Sequence, residues 1–452
     1  MGAIAIVRVS GTKAISIVSK LFMQNGKSFD MGNMVANKAY YGHIVDRGEL
    51  LDEVLVTFFK APHSFTGEDS AEISVHGSVF VQQKLLQILI AHGCRMAEAG
   101  EFTRRAFVNR KFDLAQAEAI ADLISSESEA THRVAINQLK GGFSKELQMM
   151  RSKLLEMTSL MELELDFSEE DVEFADRSQL KALLQETLTH VDKLKDSFRL
   201  GNAIKNGIPV AIVGQTNTGK STLLNALLGE DRAIVSDIAG TTRDTIEETL
   251  NINGILYRFI DTAGLRTTDE TIEKIGIDRS YKKISEANIV IGMLDATTDY
   301  ESMLSSANEI RFKMDFKHQQ LILCINKVDT LADQGEAYLG QLRQDLDNDD
   351  IMVICLSAKH GFGLNDLYNT LKHSQPLVAS DATLVTNVRH YEALLHASES
   401  LKQVQKGLEM DIPTDLISQD LREALHHLGS ITGEITTDEI LGTIFSRFCV
   451  GK

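Results

Sequence analysis

Residues 214–221 read GQTNTGKS, which fits the pattern GxxxxGK[ST]. The apolar run PVAIV precedes it and STLLNALLG, with helical spacing, follows it. A strand before and a helix after is the context in which this pattern forms a phosphate loop. Gly214 and Gly219 permit a tight turn whose backbone N–H groups point inward, and those groups join the helix N-terminus in holding phosphates. Lys220 is expected to reach the β- and γ-phosphates, and Ser221 to ligate Mg²⁺. Asn217, Thr218, Gly219, Lys220, Ser221 and Thr222 are therefore the first candidate nucleotide contacts.

Three further stretches lie in order downstream, each at the end of an apolar run. DTAG at 261–264 supplies Asp261, placed to hold Mg²⁺ through water, and the Gly264 N–H for the γ-phosphate, with Thr262 and Ala263 between them. NKVD at 326–329 selects the base. The Asp329 carboxylate can accept from guanine N1–H and the 2-amino group, with Asn326 and Lys327 in support. Adenine lacks that pair of donors and would leave the carboxylate unpaired, at a cost of roughly 1–3 kcal/mol or more. SAK at 357–359 offers the backbone of Ser357, Ala358 and Lys359 to the base. Together these imply GTP. Many small GTPases carry a glutamine after the DxxG glycine to orient water, but this chain has Leu265, which cannot. Arg243 and Arg266 are candidates for an arginine finger.

The texture around this core changes twice. Residues 1–107 mix strand-like runs, IAIVRVS and AEISVHGS, with a helical pattern in VFVQQKLLQILIAHG. Residues 108–203 are helical. Leu180, Leu184, Leu188, Val191, Leu194 and Phe198 step by three or four along one face. Residues 204–371 have the rhythm of a parallel α/β sheet, with Asn253-Gly254 as a hairpin signal. Helical texture returns over 372–452, so the α/β domain reads as inserted into a helical one. Thr436 and Glu439 have capping-box spacing, predicting a short helix that delivers the tail. The fold class expected is a multidomain α/β protein with an N-terminal α+β domain, a helical domain and an inserted Ras-like P-loop domain.

The formal net charge of −18 argues against a protein that grips nucleic acid with its whole surface. No apolar run approaches a membrane span, and MGAIAIVRVSG reads as a strand rather than a signal peptide. Cys94, Cys324, Cys355 and Cys449 show no CxxC spacing, so reduced thiols in the cytoplasm are expected, with Cys324 and Cys355 as plain core residues. Cys449, three residues from the end, needs another account.

GEFTRRAFVNRKFDLAQAEAIADLI at 100–124, SDIAGTTRD at 236–244, DTAGLR at 261–266 and the terminal FCVGK together resemble the MnmE (TrmE) family of tRNA-modifying GTPases along almost the full length. The resemblance implies G domains that dimerise on GTP, with K⁺ in place of an arginine finger. Carried over, Asn217, Ser236, Ile238 and Thr241 form the K⁺ site, Ser221 and Thr242 hold Mg²⁺, and Asp237, Ala239 and Gly240 complete the GTP loop. Glu273 matches the family's acidic residue that acts on the attacking water through a bridge. The N-terminal domain is expected to bind 5-formyltetrahydrofolate or a related tetrahydrofolate, through Arg8, Glu72, Lys111 and Lys452, and to dimerise. Cys449 is then expected beside the folate as a nucleophile or proton-transfer group.

The implied function is modification of C5 of the wobble uridine in tRNA, of the carboxymethylaminomethyl type. The implied assembly is a homodimer within a heterotetramer with an FAD- and NADH-using MnmG/GidA-like partner. Two departures stand out. Family members usually begin with a further strand and a Pro-Gly-Arg-Gly turn, whereas this chain starts at Met1, so a misannotated or truncated start is expected. Ala99 stands where proline is common. A ribosome-assembly GTPase would share the guanine motifs but predicts a basic RNA-binding flank, and neither flank looks like one. A non-catalytic nucleotide switch is kept open by Leu265.

Overall fold

The structure is a computed structural model that describes residues 2–166, 177–230, 248–260, 284–317, 319–331, 340–342, 344–345, 351–373, 383–410, 412–435, 438–446 and 448. Its contacts divide the chain into two compact units. One comprises Met1–Ile124, Gln138–Thr189 and Ala393–Lys452, and the other Ser125–Asn137 and His190–Glu392.

The first unit opens with β1 (Ile4–Ser10), α1 (Ala14–Leu21), β2 (Phe22–Gln24), β3 (Lys27–Ser28), β4 (Ala39–Asp46), β5 (Glu49–Phe59), β6 (Ser70–His76) and α2 (Val79–Ala91). The strands form one sheet in the order β1-β6-β5-β4-β2-β3, with every pair antiparallel. Alternation decides which way each residue faces. Val54, Val56, Phe58, Ile73 and Val75 turn to one side and pack with Val18 and Leu21 of α1 and Leu85 and Leu89 of α2. Burying each such side chain contributes roughly 1.5–3 kcal/mol. Arg8 on β1 and Glu72 on β6 are direct cross-strand partners.

Helices follow: α3 (Glu101–Val108), α4 (Leu114–Ile124), α5 (Glu129–Leu139), α6 (Gly142–Asp166) and α7 (Arg177–Asn206). On α7 the expected face holds, since Leu180, Leu184, Leu188, Val191 and Leu194 are buried, while Phe198 is half-buried and stacks on Tyr391.

The second unit carries β7 (Ile208–Gly214), α8 (Lys220–Glu230), β8 (Glu248–Ile252), β9 (Ile255–Phe259), β10 (Ile289–Asp295), α9 (Tyr300–Arg311), β11 (Gln320–Asn326), β12 (Ile351–Cys355) and α10 (Leu364–His373). Its sheet runs β12-β11-β10-β7-β9-β8 and is parallel except for the β8/β9 hairpin. The hairpin turns at Asn253 (φ 53°) and Gly254 (φ 79°), the left-handed pair that Asn-Gly favours. Strands with helices on both faces read as nearly unbroken apolar runs. Val290, Ile291, Leu321, Ile322 and Leu323 are fully buried, and so is Cys324, whose thiol burial pushes up. Cys355 is only half-buried. The segment 125–137 joins this unit because Ala130 N donates to Gly254 O at 3.0 Å and Thr131 Oγ1 to Ile204 O at 3.3 Å.

The chain ends with α11 (Val388–Glu409), α12 (Thr414–Thr432) and α13 (Asp438–Phe445), the last being the short helix foreseen before the tail. No described helix is long and apolar enough to cross a membrane.

Candidate functional site

Parallel strands deliver their C-terminal ends to one edge of the sheet, where ligands bind. At that edge β7 passes into the phosphate loop, with Asn217 left-handed (φ 60°) and Gly219 at φ 96°. A Cβ on Gly219 would lie 2.2 Å from Asn326 Nδ2, so only glycine fits. Lys220 Nζ donates to Gly214 O at 2.8 Å and Gln215 O at 2.6 Å, drawing the lysine over the loop. Thr218 is buried and its Oγ1 donates to Gln215 O at 2.9 Å. Ser221 and Thr222 stand in the first turn of α8.

Asn326 clips three segments together. It is only 3% exposed, its Nδ2 donates to Thr218 O at 2.8 Å, and its Oδ1 accepts from Ala358 N at 3.0 Å. Removing that amide would leave a buried carbonyl and N–H unpaired. Lys327 is left-handed (φ 67°) and its Nζ reaches Asp295 Oδ2 at 2.6 Å. Burial acts to raise the Asp295 carboxyl, but Lys327 and Thr297 outweigh it and hold it below its ordinary value. Asp295 was not singled out in the sequence. It ends β10 just as Asn326 ends β11, and the strand-end position was the available signal. Asp329 sits in a short turn, Val328–Thr330. Ser357 first, then His360 and Lys359, hold its carboxyl below the usual range, and His360 Nε2 lies 3.6 Å from its Oδ2. The phosphate loop, NKVD and SAK are thus brought together. Ser236, Asp237, Ile238, Ala239, Gly240, Thr241, Thr242, Asp261, Thr262, Ala263, Gly264 and Glu273 lie outside the described residues.

A second candidate site lies in the first unit. A cavity of about 690 Å³ opens beside β1 and is lined by, among others, Arg8, Glu72, Cys94, Glu101, Phe102 and Arg105. Arg8 Nε and NH2 both reach Glu72 Oε1, at 2.9 and 2.7 Å. Glu101 is buried. It accepts from Arg95 NH1 and Arg105 NH2 at 2.8 and 2.6 Å, and Arg105 NH1 continues to Glu68 Oε2 at 2.9 Å. Arg95 foremost, with the Glu98 N–H and Arg105, outweighs burial and holds the Glu101 carboxyl down at about 2. Burial pushes the Cys94 thiol up. Lys111 does not line the cavity, and its Nζ donates to Pro62 O at 2.9 Å. Glu101, Phe102 and Arg105 fall inside the quoted GEFTRR stretch but were not assigned to the site.

The last described residues approach the same region. Phe445 and Phe448 are buried with Leu114 and Ala117. They seat against Gly100, which is left-handed (φ 65°). A Cβ there would meet Phe445 O at 2.6 Å and Phe448 Cβ at 3.0 Å. Cys449 and Lys452 lie outside the described residues.

A parallel α/β unit with a phosphate loop and a clipped guanine motif at one sheet edge defines a P-loop GTPase. Residues 114–449 match the MnmE helical domain, and residues 1–111 match the GTP-binding protein TrmE N-terminus. The chain is 50% identical over 454 residues to the tRNA modification GTPase MnmE of Flavobacterium johnsoniae, covering 100% of this chain and 97% of that one. It is 49% identical over 453 residues to the protein of the same name from Bacteroides fragilis, with 100% and 97% covered. To the one from Porphyromonas gingivalis it is 49% identical over 459 residues, with 100% and 96% covered. The chain belongs to the MnmE family of tRNA modification GTPases, and it is a GTP hydrolase.

Proposed function

We propose that the chain uses GTP hydrolysis to drive modification of C5 of the wobble uridine in tRNA, of the carboxymethylaminomethyl type, with a folate one-carbon unit and an FAD- and NADH-using MnmG/GidA-like partner. The observation that carries the folate half is the cavity beside β1. It offers a fixed cation, Arg8, next to a carboxylate, Glu72, as a ring with both acceptors and N–H donors requires. Glu72 Oε2 keeps its acceptor capacity because both Arg8 contacts fall on Oε1. Phe448 docks at Gly100, two residues before the cavity-lining Phe102, which supports a role for the following Cys449 in the chemistry. Lys452 joins the folate set on the family resemblance, and Lys111 would act from outside the cavity.

In the nucleotide unit the residues fit GTP and Mg²⁺. Lys220 and the loop amides would hold the phosphates, and Ser221 and Thr242 offer hard oxygen ligands to the metal. K⁺, held by Asn217 with Ser236, Ile238 and Thr241, would supply positive charge where charge develops on the phosphates. Of that set, Asn217 is described: its backbone is left-handed and the residue is exposed on the loop. Asp329 would read the base, and Glu273 would act on water in place of the glutamine that Leu265 replaces. Opening and closing of paired G domains in a homodimer would be the output of hydrolysis. A cytoplasmic setting, where tRNA is modified, suits this role. The net charge of −18 suits a division of labour in which the partner supplies much of the tRNA grip.

The test is mass spectrometry of tRNA nucleosides from cells lacking the gene, complemented with wild type or Cys449→Ser. The C5-modified uridine should vanish on deletion and return with wild type only. An unchanged profile in the deletion strain would sink the reading. GTP turnover no faster in KCl than in NaCl would remove the potassium site.

A further inference from the structure

We propose that Phe65 and Phe102 are positioning residues that clamp the Arg8 guanidinium in the N-terminal cavity. The inference deepens the folate reading and rests on it. The Arg8 Cζ stands 4.8 Å from the Phe65 ring centroid and 5.5 Å from that of Phe102. Both distances lie within the range at which a ring face attracts a cation. Glu72 fixes one edge of the guanidinium through a single oxygen, Oε1. Those two contacts set where that edge is but leave the plane free to tilt about the line through Nε and NH2. Two aromatic faces remove the tilt, because a planar guanidinium keeps contact with both rings in few orientations.

The rings are themselves fixed. Phe102 is 7% exposed at the start of α3, and Phe65 packs against Phe112 with centroids 6.0 Å apart. The clamp joins three segments far apart in sequence: β1, the loop before β6, and α3. The N–H groups not used by Glu72 are thereby held in one plane, and Glu72 Oε2 stays beside them as an acceptor. A flat ring with a matching edge would meet a preorganised pair instead of having to order it, and preorganisation of this kind is returned as affinity.

The test uses the full-length protein with 5-formyltetrahydrofolate as the calorimetric probe. Phe102→Leu keeps an apolar side chain but removes the π face, and should weaken binding about tenfold. Phe102→Tyr should restore it. Unfolding temperature and GTP hydrolysis serve as folding controls. In an Arg8→Met background Phe102→Leu should change nothing further, because the cation to be held is gone. Equal loss in both backgrounds would mean that the ring touches the ligand itself, which overturns the positioning role. A second readout needs no ligand. The Arg8 Nε–H resonance, identified by its loss in Arg8→Lys, should be ring-current shifted in wild type and move toward the ordinary arginine position in Phe65→Leu and Phe102→Leu. An unshifted resonance would overturn the clamp. If the wild type does not bind the folate at all, the folate reading falls and takes the affinity role with it. The resonance then still decides whether the rings hold Arg8.

Discussion

The phosphate loop and the N-terminal cavity place charged groups by different means. In the loop, Lys220 bonds to carbonyls five and six residues away, and the left-handed backbone at 219 already calls for glycine before Asn326 closes on it. In the cavity, Arg8 and Glu72 are 64 residues apart, and Arg105 and Glu68 are 37 apart. The first site forms from a strand, a turn and a helix in sequence order. The second exists only when a sheet has paired and a helix has packed against it. Breakage of the loop should therefore be local and functional, whereas breakage of the cavity network should cost stability as well as binding.

The largest effect is expected at the loop. Lys220→Ala should lower GTP affinity by about a hundredfold or more, since a charge-assisted contact to phosphate is lost. Folate binding measured on the same sample should be unchanged, and a parallel fall would show that the two sites are not separable. Asn326→Ala comes next. It leaves Thr218 O and Ala358 N without their partner, and should destabilise the nucleotide unit by about 2–3 kcal/mol while weakening GTP binding, read by denaturant unfolding and nucleotide titration.

Glu101→Gln probes the network of the other unit. The Glu101 carboxyl is held at about 2 when folded, below the unfolded value, so its contribution is present above about pH 4.5 and is lost as pH falls toward 2. The variant should be less stable than wild type by about 2 kcal/mol at pH 7, with the gap closing between about pH 5 and pH 2. A gap independent of pH would point to packing instead of charge. Tyr257→Phe should cost about 1 kcal/mol in thermal unfolding, because the buried hydroxyl donates to Leu371 O at 2.6 Å and burial pushes it up to about 12. The smallest change is expected for Lys111→Ala. Its ammonium bonds to Pro62 O outside the cavity, so it would act on the folate only from a distance, and folate affinity should fall by about two- to threefold. A large loss would bring Lys111 into the site.

Much of this was legible. The strand-loop-helix at 208–230, the Asn253-Gly254 hairpin and the helix over 114–124 follow from spacing and turn chemistry, which act over a few residues. Asn326 and Asp329 were readable because their motif carries its own chemistry. Asp295, Glu101, Phe102 and Phe65 were not assigned. A carboxylate or a phenyl ring has no local signature of function, and each acquires its role from a partner brought by tertiary packing. Lys111 stands apart, since only a resemblance names it for the folate set and its Nζ bonds to Pro62 O.

The sequence by itself determined the P-loop GTPase unit and its preference for guanine, because short-range backbone geometry and the donor pattern of a base leave little choice. Only the tertiary structure decided that Arg8 pairs with Glu72 beneath two aromatic rings, and that Phe448 seats in the space above Gly100. Those contacts depend on antiparallel register and on the close approach of helix ends, which are fixed by the burial of whole faces and not by any short run of residues.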